Sequence, residues 1–442
     1  MNILPYKLST TNDLLTSRAG LIIIAQLMQS IGFTDLVDQC FPAPGSNRGF
    51  KPSVFVNSMM LMLHEGGSCL DDLRYIRHDK ALLQLLGITS IPQADSMGDW
   101  LRRVGYRGIN ATTEVNKHII KLALHNCSSI TLDIDATLSA SKNKLAKWTY
   151  KKCTGYMPMV GHIAETSQVL ATEFREGNVS PNTDNLGFIH QCETALPEGV
   201  NMAKLRIDAA GYQVAIIDEC MDRTIQFAIR AKMNKPLKKM IEHLPETKWQ
   251  PLVGKDGKEM SEESTCRLVH SMESSQHAFT VIVQRRKISG QLSLDLHDDE
   301  QALSEEVIQQ GAYLYRAIAT NRNKLTDSEI VHWYNQRAET SENRIKELKQ
   351  DFGADRMPCS DFAANSLYFA LCALAYNLFA LIRHLLPVRF ASCRAKTIRY
   401  RLYALAGKVI KHGRMIYLKL QAAHKQLLDE VLILLNNFAQ AP

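Results

Sequence analysis

No two of the ten cysteines in this 442-residue chain lie closer than 13 positions, so neither a zinc knuckle nor a CxxC redox pair can be written from them. The start, MNILPYKLSTTND, lacks the basic-then-apolar order of a secretory signal, and reduced thiols in a cytoplasm are expected. Only four tryptophans occur, which argues against the aromatic sugar cleft of a glycosidase. No self-repeat of 20 to 50 residues is visible, excluding a solenoid. Net charge is small, +7 from 52 Lys and Arg against 45 Asp and Glu. What remains is ordinary: 45% hydrophobic and 22% charged residues, the composition of a folded chain with room for two or three domains.

One stretch is long and uncharged. Phe362 to Ile382 reads FAANSLYFALCALAYNLFALI, 21 residues, enough in length for a membrane span. Asn365, Ser366 and Asn377 interrupt it, Ala and Cys supply much of its apolarity, and no second span accompanies it. A buried core helix is the expectation, with no membrane partner.

Along the chain, residues 1–128 read as helices. LIIIAQLMQSIGF (Leu21 to Phe33) precedes a Pro/Gly-rich loop, SVFVNSMMLML stops at Gly66-Gly67, and Leu70, Leu73, Ile76, Leu82, Leu85 and Leu86 keep helical spacing. At Ser128 the texture changes. In SSITLDIDAT, Leu132, Ile134 and Ala136 alternate with Thr131, Asp133, Asp135 and Thr137, the period of a strand. TSQVLATEFREGN, AKLRIDAAGY and TIQFAIRAK are further strands, with helices over 185–198 and 212–223, so residues 129–231 form the first part of an α/β domain with a mixed sheet. Residues 232–320 are β-rich and read as an insertion. In 321–385 a helix restarts at the Thr326/Glu329 capping box, keeps an apolar side from Ile330 to Phe352 and ends at Gly353. Residues 386–442 read as a basic helical C-terminal region.

Three acidic residues occupy positions that suit a metal site. Asp135 lies in an apolar strand, Asp208 ends a strand just before a helix, and Glu342 lies inside the restarted helix. Mg²⁺ takes oxygen ligands and keeps several waters, so converging carboxylates suffice to hold it. Two such ions activate an attacking oxygen and stabilise the leaving oxygen of a phosphodiester. Each residue also has a plainer role: Asp133 or Asp135 as a solvated strand residue, Asp208 as a helix cap, and Glu342 as a surface residue of a charged helix.

Their order and context add a resemblance. The stretches LDIDAT (132 to 137), GYMP (155 to 158), REGNVS (175 to 180), RIDAAGY (206 to 212), TNRN (320 to 323), YNQRAETSENRIKELKQDFG (334 to 353) and AANSLYFALCALAYNLF (363 to 379) resemble bacterial insertion-sequence transposases of the DDE superfamily, in the branch with a Tyr-Arg-Glu-Lys signature. The helical head around LDDLRYIRHDKALLQLLG is similar to the N-terminal region of that group. The resemblance implies an α/β, RNase H-like mixed-sheet core with a β-rich insertion, an all-helical N-terminal domain that binds DNA and a helical C-terminal region. It implies that Asp135, Asp208 and Glu342 are catalytic and bind two Mg²⁺ ions, with Mn²⁺ as a substitute. Asp135 is preferred to Asp133 because it stands in the D-x-T form. Tyr334, Arg337 and Lys349 are implied to touch the transposon end.

The signature is one residue too long here. Counted from Arg337 its acidic position is Ser341, whereas counted back from Lys349 it is Glu342. An added residue turns later side chains of a helix by about 100°, unless a π-bulge absorbs it. Glu339, seven positions before Lys346, is the weaker match.

Basic residues cluster in three places: Lys142, Lys144, Lys147, Lys151 and Lys152; Arg285, Arg286 and Lys287; and the segment Ala391 to Leu420, with eight basic residues and no acidic one. That last segment leaves the other 412 residues at −1. Concentrated positive charge suits phosphates, and Arg399, Tyr400, Arg401 and Tyr403 interleave charge with rings, which makes Arg399 and Arg401 DNA-contact candidates. Trp249 and Trp333 are either core residues or holders of a flipped base. The reading is a Mg²⁺-dependent DNA transposase of the bacterial cytoplasm and nucleoid, cutting at terminal inverted repeats and joining the ends to target DNA. By analogy it is a homodimer on DNA ends, working by cut-and-paste with a hairpin at the excised end. The competing class is a non-catalytic DNA-binding protein or repressor derived from a transposase, supported by the extra residue.

Overall fold

The computed structural model describes residues 7–46, 49–288, 307–337 and 341–439. The chain divides into two compact units, one of Ile120–Lys142 and Ala146–Lys346, the other of Met1–Ile119, Asn143–Leu145 and Glu347–Pro442.

The first unit is α/β, built on a ten-stranded mixed sheet. Its strands are β1 (Ser129–Ala136), β2 (Met159–Ile163), β3 (Val169–Glu173), β4 (Asn201–Ile207), β5 (Gln226–Arg230), β6 (Gln250–Val253), β7 (Glu259–Ser271), β8 (Ala278–Lys287), β9 (Ile308–Gln310) and β10 (Tyr313–Thr320). They lie in the order β6-β7-β8-β10-β5-β4-β1-β2-β3, with β9 also paired to β10. β1, β4 and β5 run parallel. The β-rich stretch extends this same sheet, because β10 pairs antiparallel with β5 at Ile318↔Arg230, Ala319↔Ile229 and Thr320↔Ala228.

Parallel neighbours need crossover connections, and here they contain helices α1 (Asn185–Thr194) and α2 (Val214–Asp222). Asp184 starts α1 by accepting a hydrogen bond from the Gly187 amide at 3.2 Å. Strand side chains alternate between faces, and the core follows that alternation. Leu132, Ile134, Leu205, Ile207, Phe227 and Ile229 pack with Phe188, Ile189 and Cys192 of α1 and Ile216, Ile217 and Cys220 of α2. Ala228, Ile282 and Ile318, of opposite parity, pack with Ile330, Val331 and Tyr334 of α3 (Asp327–Arg337). Thr326 and Glu329 form the expected cap of α3, the Thr326 amide donating to Glu329 Oε2 at 2.8 Å and the Glu329 amide to Thr326 Oγ1 at 3.2 Å.

In the second unit the apolar run is the helix Phe362–Leu385, buried at every residue from Ala364 to Ile382. It is long and apolar enough to cross a membrane, and here protein encloses it. Its buried amides are satisfied: Asn365 Nδ2 donates to the Cys359 carbonyl at 2.8 Å and Asn377 Nδ2 to Asn116 Oδ1 at 2.5 Å. All ten cysteines in the chain are free.

Two expectations need correction. The N-terminal part is not all helical, since Leu14–Thr16 forms a strand paired with Gly407–His412. Nor is the C-terminal region only helical. Gly407–His412 and Met415–Lys419 make an antiparallel hairpin turned at Gly413, where φ is +60°. The β-branched residues in GKVIKHGRMIYLK and the glycine at its turn are a hairpin signal, which the run of basic residues masked.

Arg399 is also relocated. Its Nε donates to the His64 carbonyl at 2.8 Å and its Nη2 to the Leu63 carbonyl at 2.8 Å and to the Asp351 carbonyl. The guanidinium thus fills the open carbonyl end of the helix Pro52–Glu65 and sits over the Phe352 ring at 4.9 Å. Its donors are turned inward, onto backbone carbonyls. Arg399→Ala is expected to destabilise this unit by about 2–4 kcal/mol through unpaired carbonyls. A guanidinium chloride titration followed by circular dichroism measures this.

Candidate active site

Register places the first two carboxylates. Ile134 of β1 pairs with Ile207 of β4, so Asp135 and Asp208 each follow by one residue on adjacent parallel strands about 5 Å apart. Both lie at the C-terminal ends of those strands. Since Leu132, Ile134, Leu205 and Ile207 face α1 and α2, strand parity turns Asp133, Asp135 and Arg206 to the side covered by α3.

On that side Asp133 is fully buried and bound by Arg206, whose Nε and Nη2 reach its two carboxylate oxygens at 2.7 and 2.8 Å. The remaining donor, Nη1, reaches the Trp333 carbonyl in α3 at 2.6 Å. Asp133 is therefore neither solvated nor open to a ligand. Across the strand pair from it lies His162, buried, with no partner for either ring nitrogen among the described residues. Burial and the positive charges of Arg344 and Arg337 push His162 down to about 3, so it stays neutral.

Asp135 has a different environment. Its side chain keeps 19% exposure, and Arg337 Nη2 stands 3.3 Å from Oδ2 while donating to the Ile134 carbonyl at 3.1 Å. Burial pushes the Asp135 carboxyl up to about 6; the Arg337 charge opposes this, and the charges of Asp208 and Glu342 raise it further. Asp208 and Glu342 thus both act on Asp135. Asp208 also fills its plainer role, Oδ1 accepting from the Ala210 amide at 3.0 Å at the start of the short turn Ala209–Gly211.

Glu342 is exposed and sits in a π-helical turn, Ser341–Glu342, just before α4 (Asn343–Asp351). Ala338, Glu339 and Thr340 lie outside the described residues, so the Glu339 alternative does too. Two residues after Glu342, Arg344 donates to the carbonyls of Ile163 at 3.2 Å and Ala164 at 2.9 Å, at the end of β2. Glu342 is accordingly flanked by two arginines, Arg337 and Arg344, each fastened to strand carbonyls.

No group of three or more His, Cys, Asp or Glu side chains among the described residues is placed to hold a metal ion. The donor chemistry nevertheless fits one: three carboxylates, with no thiol or imidazole, are a set for a hard divalent cation.

The expected DNA contacts divide. Tyr334 is buried against the sheet with Arg230 over its ring at 4.7 Å, and Arg337 is buried beside Asp135. With Arg399, these are internal residues whose polar groups or rings are held by protein. Lys349 is half-buried, and Arg401 is exposed over the Phe390 ring at 5.2 Å. Both tryptophans are half-buried and pack against the core clusters. Trp249 lies under Arg285 at 4.2 Å, and Trp333 lies between Arg206 at 5.4 Å and Arg322 at 4.1 Å.

Arg206 and Arg344 are the residues that sequence reasoning missed. For Arg206 a signal existed: a charge within the apolar strand AKLRID, two residues before Asp208, implies a buried partner such as the equally isolated Asp133. Arg344 has no such signal in a helix this charged.

The family described as Transposase DDE domain group 1 matches residues 6–440, and the chain belongs to that family of DDE transposases. Among solved structures it is similar to the piggyBac transposase synaptic complex with hairpin DNA, seen by cryo-EM. Identity is 10%, over 96% of this chain and 82% of that one, with a TM-score of 0.44. No curated protein is significantly similar.

The two strand aspartates should separate experimentally. Asp133→Asn breaks a buried pair and is expected to cost about 3–5 kcal/mol. Asp135→Asn, which neutralises a carboxylate that burial already disfavours, should cost under about 1 kcal/mol. Thermal denaturation of the two variants is the comparison.

Proposed function

We propose that the protein is a metal-dependent DNA transposase whose catalytic residues are Asp135, Asp208 and Glu342. The observation that carries this is the register that sets Asp135 and Asp208 side by side, each one residue after the paired Ile134 and Ile207 of adjacent parallel strands, in a chain of DDE transposase family. The order β3-β2-β1-β4-β5, with β2 antiparallel and β1, β4 and β5 parallel, supports an RNase H-like core for which β10 and its neighbours are the inserted strands. The competing reading, a non-catalytic binder, rests on the extra signature residue; the π turn at Ser341–Glu342 supports instead a helix able to absorb an added residue.

The carboxylates of Asp135, Asp208 and Glu342 would hold divalent ions, Mg²⁺ by their hard oxygen chemistry. When bound, these supply Lewis-acid stabilisation of the charge that develops on a phosphodiester under attack. The chain's own residues prepare the place. Arg206 fixes the spacing of β1, β4 and α3, so both strand aspartates present to the same side. Arg337 lends positive charge to Asp135, and Arg344 pins the helix start behind Glu342. In the proposed reaction a water oxygen attacks phosphorus at the transposon end and the bond to the 3′ oxygen breaks, freeing a 3′-hydroxyl. That hydroxyl then attacks a target phosphate, forming a new 3′ O–P bond as the target's own P–O3′ bond breaks and its 3′ oxygen leaves to take up a proton, in a cut-and-paste sequence carried out by a homodimer on the terminal repeats. Lys349 and Arg401 are the proposed DNA contacts among the residues named from the sequence.

Alanine at Asp135, Asp208 or Glu342 is expected to lower Mg²⁺-dependent cleavage of DNA carrying the element's inverted repeats by roughly 10³-fold or more. Binding of the same DNA in a gel-shift titration should survive. Cleavage retained by Asp208→Ala would sink the assignment.

A further inference from the structure

The segment that leaves β1 toward β2 is a small projection with its own sheet. Ser139–Ala140, Thr154–Tyr156 and Lys147–Trp148 pair antiparallel, with Thr154–Tyr156 in the middle. Its base is rigid. Tyr156 is fully buried against Phe174 with ring centroids 4.8 Å apart, and it bridges to Glu176. The backbone passes so close behind that a Cβ on Gly177 would lie 2.3 Å from the Gly155 carbonyl oxygen and 2.6 Å from that of Lys147.

Its tip is the reverse. Trp148 is 64% and Tyr150 57% exposed, and Lys142, Lys147, Lys151 and Lys152 are exposed beside them. The turn is closed by the Thr149 amide to the Cys153 carbonyl at 2.9 Å and the Lys152 amide to the Thr149 carbonyl at 3.0 Å. Lys152 adopts φ +58° there, a conformation that favours glycine. Five lysines and no acidic residue occupy 142–152. A folded protein rarely leaves a tryptophan and a tyrosine this open among like charges on a pinned hairpin, since both rings gain by burial.

We propose that this hairpin is a DNA-contacting finger, in which Trp148 stacks on an unpaired or unstacked base near the cleaved end while Lys147, Lys151 and Lys152 meet the adjacent phosphates. The inference rests on the transposase reading. Flat rings supply sequence-tolerant stacking and lysines supply counterion release, the two ingredients of single-strand and junction binding. The chain limits the distance. Val160 pairs with Asp135, and Thr154, the partner of Trp148, is six residues back along the chain. At about 3.3 Å per residue the finger lies within ~20 Å of the Asp135 pairing position, less than the ~34 Å of one turn of duplex.

The test uses the full chain and a fluorescein-labelled duplex bearing the inverted repeat, either fully paired or with unpaired nucleotides at the cleavage junction. Trp148→Ala should bind the unpaired probe about tenfold more weakly and the paired probe nearly as wild type, with Trp148→Phe restoring most of the difference. The double variant K151A/K152A should weaken both probes and lower the slope of log affinity against log salt by about 2. Because these side chains are exposed, unchanged thermal melting is expected for all three variants. Wild-type behaviour of Trp148→Ala and K151A/K152A on both probes overturns the finger and leaves the transposase reading standing. Equal loss on the two probes for Trp148→Ala overturns the stacking role. Failure of the wild-type chain to bind either probe removes the transposase reading and the finger with it.

Discussion

One guanidinium determines how the candidate site is assembled. Arg206, on β4, grips both oxygens of Asp133 on β1 with two of its nitrogens and the Trp333 carbonyl on α3 with a third. Both partners of the ion pair are removed from water, so each depends on the other to offset its desolvation. The contact is short, bidentate and shared among three elements that are remote in sequence. It sets the spacing at the place where Asp135 and Asp208 leave their strands, and it docks the helix that leads to Glu342.

Around that fixed point negative and positive charge are interleaved. The charges of Asp208 and Glu342 act on Asp135, Arg337 stands beside it, and His162 is kept neutral by burial and by the charges of Arg344 and Arg337. Arg337 and Arg344 are tied to backbone carbonyls of β1 and of the end of β2, so their charge cannot swing away. Burial above all, and then the charges of Asp208 and Glu342, hold the Asp135 carboxyl above its ordinary value against the opposing charge of Arg337.

The parts of the fold that were legible in sequence are those set by local pattern. β1, β3 and β5 lie inside the stretches that marked them as strands, β4 begins two residues before its stretch, and α1 and α2 lie inside the two expected helices. The apolar run reads correctly as core, because its asparagines mark buried hydrogen bonds. What could not be read is long-range. No local pattern says that Leu14–Thr16 pairs with Gly407–His412, or that Arg399 points at carbonyls rather than phosphates. For the site, the acidic positions emerged from order and resemblance, but the inward turning of Tyr334 and Arg337 depends on which face of α3 meets the sheet. The buried partnership of Asp133 depends on strand register, a property that a sequence expresses only through pairs.

The strands between β5 and α3 have a bearing on when the site forms. Tyr334, Ile330 and Val331 pack on Ala228, Leu252, Ile282 and Ile318, so α3 finds its seat only after β6, β8 and β10 have joined the sheet. The glutamate is separated from the second aspartate by more than a hundred residues. Closing so long a loop is slow, and contacts of high sequence separation form late. A chain emerging from the ribosome therefore exposes two aspartates well before the third carboxylate is synthesised and seated. Any product interrupted within the intervening strands lacks the third acidic group and the platform that would receive it.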